Sequence, residues 1–167
     1  EEGFIEIALP NRIGETTRLS DYVGKVVLID FSAYAMEQAS AHTLFLRELY
    51  TTYHELGLEI YQISFDADKL LWLEQTRNIP WVCVRDEASV QSKYLITYNI
   101  SELPTFFLMD KEGNVVAEAV SADTKASFVI ENVHKWHGRK DPYLYTAKAE
   151  LLDGENVLDA VSARFGC

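Results

Sequence analysis

Cysteine is almost missing from this chain. Of 167 residues only Cys83 and Cys167 carry thiols. They form no Cys-x-x-Cys pair, and no Cys/His group has the spacing of a zinc site, so no metal is expected. Positive charge is also scarce. Fifteen Lys and Arg stand against 26 Asp and Glu, a formal net charge of −11. That disfavours phosphate backbones and anionic membrane surfaces, which attract Lys and Arg, so no nucleic-acid partner is expected. The charge reads as a solubilising surface. No apolar run approaches the ~20 residues needed to span a bilayer, so no transmembrane segment is expected in this chain. The start, Glu1-Glu2-Gly3-Phe4, lacks a basic region, an apolar run and an initiator Met, as expected of a mature or trimmed chain. Phosphate loops, a G-x-S-x-G elbow, paired carboxylates at a defined spacing and internal repeats are all missing.

What is present suits one domain with a sizeable core, since 48% of residues are hydrophobic and 25% charged. Phe4 to Leu9 reads as a strand, Pro10 to Gly14 as a turn, and Thr16 to Leu19 as a return strand, giving an N-terminal β-hairpin. Ser20 to Gly24 reads as one helical turn. Lys25 to Phe31 is a nearly continuous β-branched and aromatic run, as in a central strand covered on both faces. Met36 to Leu56 reads as a helix with Phe45, Leu49, Tyr53 and Leu56 on one face, stopped by Gly57. Leu58 to Phe65 is the next strand. Asp66 or Asp68 caps a helix running to about Arg77, to which Leu70, Leu71 and Leu73 give the apolar side.

Trp81 to Val84 reads as a short strand and Glu87 to Tyr94 as a helix. Thr105 to Met109 and Val115 to Ala119 are strands joined at Asp110-Lys111-Glu112-Gly113-Asn114, where Gly113 supplies positive φ. Asp123 to Trp136 reads as the last core helix. Strands alternating with helices at this spacing imply a parallel sheet flanked by helices, with the last hairpin adding an antiparallel edge. After Gly138 the chain changes character. Arg139 to Pro142 reads as a linker. Val157, Leu158, Val161 and Phe165 then make a short amphipathic helix. Residues 1–138 are therefore expected to form the domain, and 139–167 a C-terminal helical extension packed on it or on a partner, including a second copy in a homodimer.

Four stretches in order carry a family resemblance: Leu19-Ser20-Asp21, Gly24 to Phe31, Leu103-Pro104-Thr105, and Leu108 to Gly113. Together they are similar to the TlpA/ResA-like branch of the thioredoxin superfamily, which overlaps the AhpC/TSA grouping, over roughly residues 3–137. The resemblance implies a thioredoxin-like α/β fold with a central mixed sheet. It implies a bacterial protein of the periplasm or cell envelope, thiol-disulfide exchange with a partner oxidoreductase, and no bound cofactor. The family pattern at the strand-to-helix junction is Phe-Trp-Ala-x-Trp-Cys-x-x-Cys. Phe31 and Ala33 match it. Ser32 and Ala35 replace the tryptophans, and Met36 and Ala39 replace the cysteines. In such proteins the first thiolate is stabilised at a helix N-terminus and attacks a disulfide, and the second thiol resolves the mixed disulfide. A thioether has no ionisable proton and alanine no sulfur, so two-cysteine exchange is impossible here. A peroxiredoxin reading fails too, since Met36 is not a thiolate and no Thr precedes it in the required place.

Asp30 falls where the resemblance places a buried carboxylate that assists the resolving cysteine. It is either a leftover held by hydrogen bonds or a carboxylate serving a ligand. Pro104 matches the family's cis-proline, which turns the backbone of Leu103 so that it pairs with an extended substrate segment. Tyr34, Met36 and Glu37 are expected to line the same surface. Cys83 reads as a buried strand thiol and Cys167 as a mobile terminal one. His134 and His137 lack a third metal ligand, and His42 and His54 have no evident catalytic partner. Two functions are then expected. One is a redox-inactive module that binds an extended peptide or protein. The alternative is a thiol-disulfide oxidoreductase using Cys83 or Cys167 in a displaced site. A third possibility is one piece of a larger chain whose missing part carries specificity.

Overall fold

A computed structural model of the chain describes residues 3–121 and 126–129. Two short strands open it, β1 (Ala8–Pro10) and β2 (Thr16–Arg18), paired antiparallel. Asn11 closes their turn. Its Oδ1 accepts from the N–H groups of Ile13 at 3.1 Å and Glu15 at 3.0 Å, the local bonding that favours Asn in turns. The first strand is shorter than expected, because Phe4 turns away and its N–H donates to the carbonyl of Gly113 at 3.0 Å. Asn11 also bridges to Val84, and the Arg12 guanidinium donates to Thr76 Oγ1 and to the carbonyl of Leu73. The hairpin is thereby fastened to the body.

The body runs β3 (Val26–Ser32), α1 (Ala39–Tyr53), β4 (Leu58–Ser64), α2 (Lys69–Gln75), β5 (Val82–Arg85), α3 (Lys93–Thr97), β6 (Thr105–Met109), β7 (Val115–Ser121) and β8 (Ala126–Val129). The sheet order is β5-β4-β3-β6-β7-β8. Strands β3, β4 and β5 are parallel. Strands β6, β7 and β8 add on antiparallel. This is the mixed sheet of a thioredoxin-like fold.

Every residue of β3 and β4 is buried, so each strand has two inner faces. Val26 and Leu28 join Leu46, Leu49, Tyr53, Ile60 and Trp72 on the face covered by α1 and α2. Val27, Ile29 and Phe31 join Ile7, Leu19, Tyr61, Tyr94 and Phe107 on the other. Each such large apolar side chain stabilises the fold by about 1.5–3 kcal/mol. The period of two puts Asp30 on the α1 face, in line with Val26 and Leu28.

Several expected elements differ. Helix α1 begins at Ala39 rather than Met36, because Gln38 supplies no side-chain cap and residues 33–39 form successive tight turns, Met36 N–H to Ala33 and Ala39 N–H to Met36. Its buried face is His42, Leu46, Leu49 and Tyr53. Leu56 lies beyond the helix and is exposed. On α2 the buried residue is Trp72, while Leu70 is 77% exposed. Asp68 caps that helix, accepting from Leu70 and Leu71 N–H. The helix expected over Glu87–Tyr94 is a 3-10 turn, Ser89–Gln91, followed by α3. Ser92 adopts extended backbone and caps α3 through Tyr94 N–H, which breaks the run in two. Within the expected helix Asp123–Trp136, residues Ala126–Val129 are strand β8. There the open edge of β7 outweighs local helical pattern. The rest of that helix, the boundary at 138, the amphipathic segment, His134, His137 and Cys167 lie outside the described residues.

Candidate functional site

The parallel strands β3, β4 and β5 all end at one rim of the sheet, and β6 begins there. The loop after β3, residues 33–38, holds the first of the family's cysteine positions, Met36, and the second, Ala39, opens α1. The loop is anchored by Asp66 from the loop after β4. The Asp66 carboxylate accepts from Tyr34 N–H at 2.8 Å, Ala35 N–H at 2.9 Å and the Ser64 hydroxyl at 2.5 Å, and it is almost fully buried. Asp66 is thus a loop anchor rather than a helix cap. Hydrogen bonds to a charged acceptor are about twice as strong as neutral ones, so this turn is held firmly.

Beneath the loop lies a buried polar network. Asp30 is wholly buried, and burying a carboxylate is costly unless it is hydrogen-bonded. Its Oδ1 lies 2.7 Å from Nε2 of His42, whose ring N–H donates to it. Its Oδ2 accepts from the Ser32 hydroxyl at 2.8 Å and from Gln62 Nε2 at 3.0 Å. Gln62 Oε1 in turn accepts from the Tyr34 hydroxyl at 2.8 Å and from Trp81 Nε1 at 3.0 Å. His42, without an evident partner in the sequence, is therefore paired with Asp30 across the first turn of α1. The signal that could have found it is placement: residue 42 starts the inward face of α1 directly over the even face of β3.

Of the other expected site residues, Tyr34 is half-buried, and its hydroxyl points inward to Gln62 instead of out to the surface. Burial, with Cys83, Asp30 and Asp66 close by, pushes its phenol well above the usual tyrosine range. Met36 and Ala39 are half-buried, and Glu37 is exposed. The Leu103–Pro104 peptide is cis. Antiparallel pairing of β3 with β6 ends at Phe31 and Thr105, so the loop leaving β3 and the Leu103–Pro104 segment entering β6 lie at the same end of neighbouring strands. The loop holding Met36 and Glu37 therefore shares this rim with Leu103. Neither the N–H nor the C=O of Leu103 bonds to any described residue.

Cys83 is buried, with Sγ 3.6 Å from the Trp81 carbonyl and 3.8 Å from Gln62 Oε1. Burial pushes its thiol up to about 12. A displaced exchange site needs an exposed thiol of low pKa, and Cys83 is neither. Alkylation by iodoacetamide at pH 8, followed by peptide mapping of Cys83, is expected to run about 1000-fold slower than for a free thiol, since each unit of pKa costs tenfold in thiolate. Labelling at the free-thiol rate would refute this placement.

Among the described residues no helix is long and apolar enough to cross a membrane. A family profile described as thioredoxin-like matches residues 24–115, more than half of the chain. A second profile, glycosyl hydrolases family 2, matches residues 82–167. Its described part, from β5 to β8, is one side and one edge of the sheet just described. The thiol-disulfide oxidoreductase ResA of Bacillus anthracis is 31% identical over 67% of this chain and 64% of its own. ResA of Geobacillus kaustophilus is also 31% identical, over 66% of this chain and 63% of its own. The chain thus spans less than two thirds of the length of these curated relatives. Among solved structures, a thioredoxin-like protein from Bacteroides vulgatus is 45% identical with a TM-score of 0.66, covering 70% of this chain and 76% of that one. The thioredoxin domain of a thiol-disulfide oxidoreductase from the same organism is 27% identical with a TM-score of 0.64, covering 70% and 85%. By sheet order, cis-proline and these likenesses, the chain belongs to the thioredoxin-like family, in its TlpA/ResA-like thiol-disulfide oxidoreductase branch.

Proposed function

We propose that this protein is a member of the thiol-disulfide oxidoreductase family that no longer exchanges disulfides at the family site and instead binds extended peptide segments there, in the periplasm or cell envelope. The observation that carries this reading is a contrast at the rim. The thiol positions hold Met36 and Ala39, while cis-Pro104 and the open backbone of Leu103 are kept. Pairing with a strand uses main-chain N–H and C=O groups and needs no sulfur. The names of the relatives support the envelope, since the protein disulfides that such enzymes act on form and persist in oxidising compartments.

Reduction of insulin with dithiothreitol as electron donor tests the first half. The protein is expected to leave the rate at its protein-free background. Catalysis that disappears in a Cys83→Ser variant would show that the chemistry has moved rather than stopped. Amide NMR shifts on adding reduced, carboxymethylated lactalbumin, an unfolded chain without thiols, test the second half. Shifts are expected at Met36, Glu37 and Leu103, and their confinement to the opposite end of the sheet would rule out binding at this rim.

A further inference from the structure

We propose that the segment bound at Leu103 is cationic: a strand presenting an apolar side chain to Met36 and Leu103, with Lys or Arg on either side. This rests on the binding reading above and names its partner. The argument is one of charge at the rim. The loop after β3 exposes Glu37, immediately beyond Met36. The segment before β6 exposes Glu102, immediately ahead of Leu103. The loop after β5 exposes Glu87. These loops stand side by side, because β5, β4, β3 and β6 are neighbours in that order. They are also tied together. Asp86 N–H donates to the Ser64 carbonyl, the Ser89 hydroxyl to the Phe65 carbonyl, and Asp66 holds Tyr34 and Ala35.

Among the described residues the one ion pair within 4 Å joins His42 to Asp30, so none of Glu37, Glu87 and Glu102 is paired with a described Lys, Arg or His at that distance. Of the nearby cations, Arg85 donates to the Asp66 carbonyl and Lys93 lies over the Tyr94 ring, while Lys69, in the first turn of α2, is exposed. Like charges brought together without partners repel, and a bound cation relieves that repulsion. The open N–H and C=O of Leu103 fix the strand. The glutamates before and after it select its charge.

Three dye-labelled peptides of equal length test this by fluorescence anisotropy: alternating Lys and Val, alternating Gln and Val, and alternating Lys and Pro. The Lys–Val peptide is expected to bind tightest. Its affinity should fall as salt rises through the range where the Debye length drops below ~10 Å. A Glu37→Gln/Glu102→Gln variant should weaken it by about fivefold to tenfold, from two exposed charge pairs, and weaken the Gln–Val peptide by clearly less; an equal loss for both peptides would overturn the charge preference. Equal binding of Lys–Val and Gln–Val peptides would overturn the charge preference while leaving the strand-binding reading intact. Equal binding of Lys–Pro, which keeps charge but lacks the N–H groups to pair, would show mere attraction to an acidic surface and overturn the proposal. If none of the three binds, the peptide-binding reading itself falls.

Discussion

Replacing His42 with alanine is expected to cost about 3–5 kcal/mol of folding stability, because it leaves Asp30 Oδ1 buried without its donor. Against a typical total of about 5–15 kcal/mol that is a large fraction. The thermal midpoint should fall by roughly 10–20 °C. Asp30→Ala should cost a similar amount, since it orphans His42, Ser32 and one Gln62 donor bond together. The double variant should lose clearly less than the sum of the singles, with a coupling of about 2 kcal/mol, as for groups in one buried network. Urea unfolding of all four proteins reads this directly. Additive losses, or a single loss under about 1 kcal/mol, would show that the pair does not hold α1 to β3.

The second large effect is a gain. A Met36→Cys/Ala39→Cys variant is expected to form a disulfide and to accelerate insulin reduction by about tenfold or more over the parent protein. The geometry favours it. Ala39 N–H bonds to the Met36 carbonyl at 3.2 Å, closing a turn of the kind whose ends lie less than ~7 Å apart, comparable with the ~4.4–6.8 Å Cα range of a disulfide. Two features limit the gain. The thiol at position 36 would lie a turn ahead of the helix proper, and helix-terminus stabilisation of a thiolate fades within about one turn. Asp30, which the family resemblance assigns to the resolving thiol, is already committed to His42, Ser32 and Gln62. Activity should therefore depend more steeply on pH than a low-pKa thiolate would allow, rising up to the ordinary thiol range of about 8.5. A variant that forms the disulfide yet stays at background would show that the scaffold has lost more than its sulfur.

The parts of this molecule that were legible in the sequence are those set by local pattern. The β-branched run of β3, the glycine that ends the first long helical segment, the Gly113 hairpin and Leu103–Pro104 each announce themselves over a few residues. What was hidden depends on residues distant in the chain. Asp66 sits where a helix cap belongs, but its oxygens are taken by N–H groups 31 and 32 residues earlier. His42 and Asp30 are 12 apart, and meet only because α1 folds back over the sheet. The late start of α1 was missed because Gln38 is no cap signal and Met36 and Glu37 fit a helix as well as a turn. Ser92 did carry a cap signal, but it falls inside a stretch that reads as one helix. Strand β8 draws on the exposed edge of β7, which no local window contains.

The N-terminal hairpin has a consequence for how these molecules behave at high concentration. Strand β5 is a flank of the sheet, and a bare flank is a template on which further chains add indefinitely. The bridge from Asn11 to Val84 covers part of that flank with the protein's own chain, and the Arg12 bonds to Thr76 and Leu73 of the α2 end hold the hairpin there. A flank covered in this way offers fewer open backbone groups to a second chain. A chain trimmed of residues before Lys25 would bare that flank and also lose the core packing of Ile7, Leu9 and Leu19.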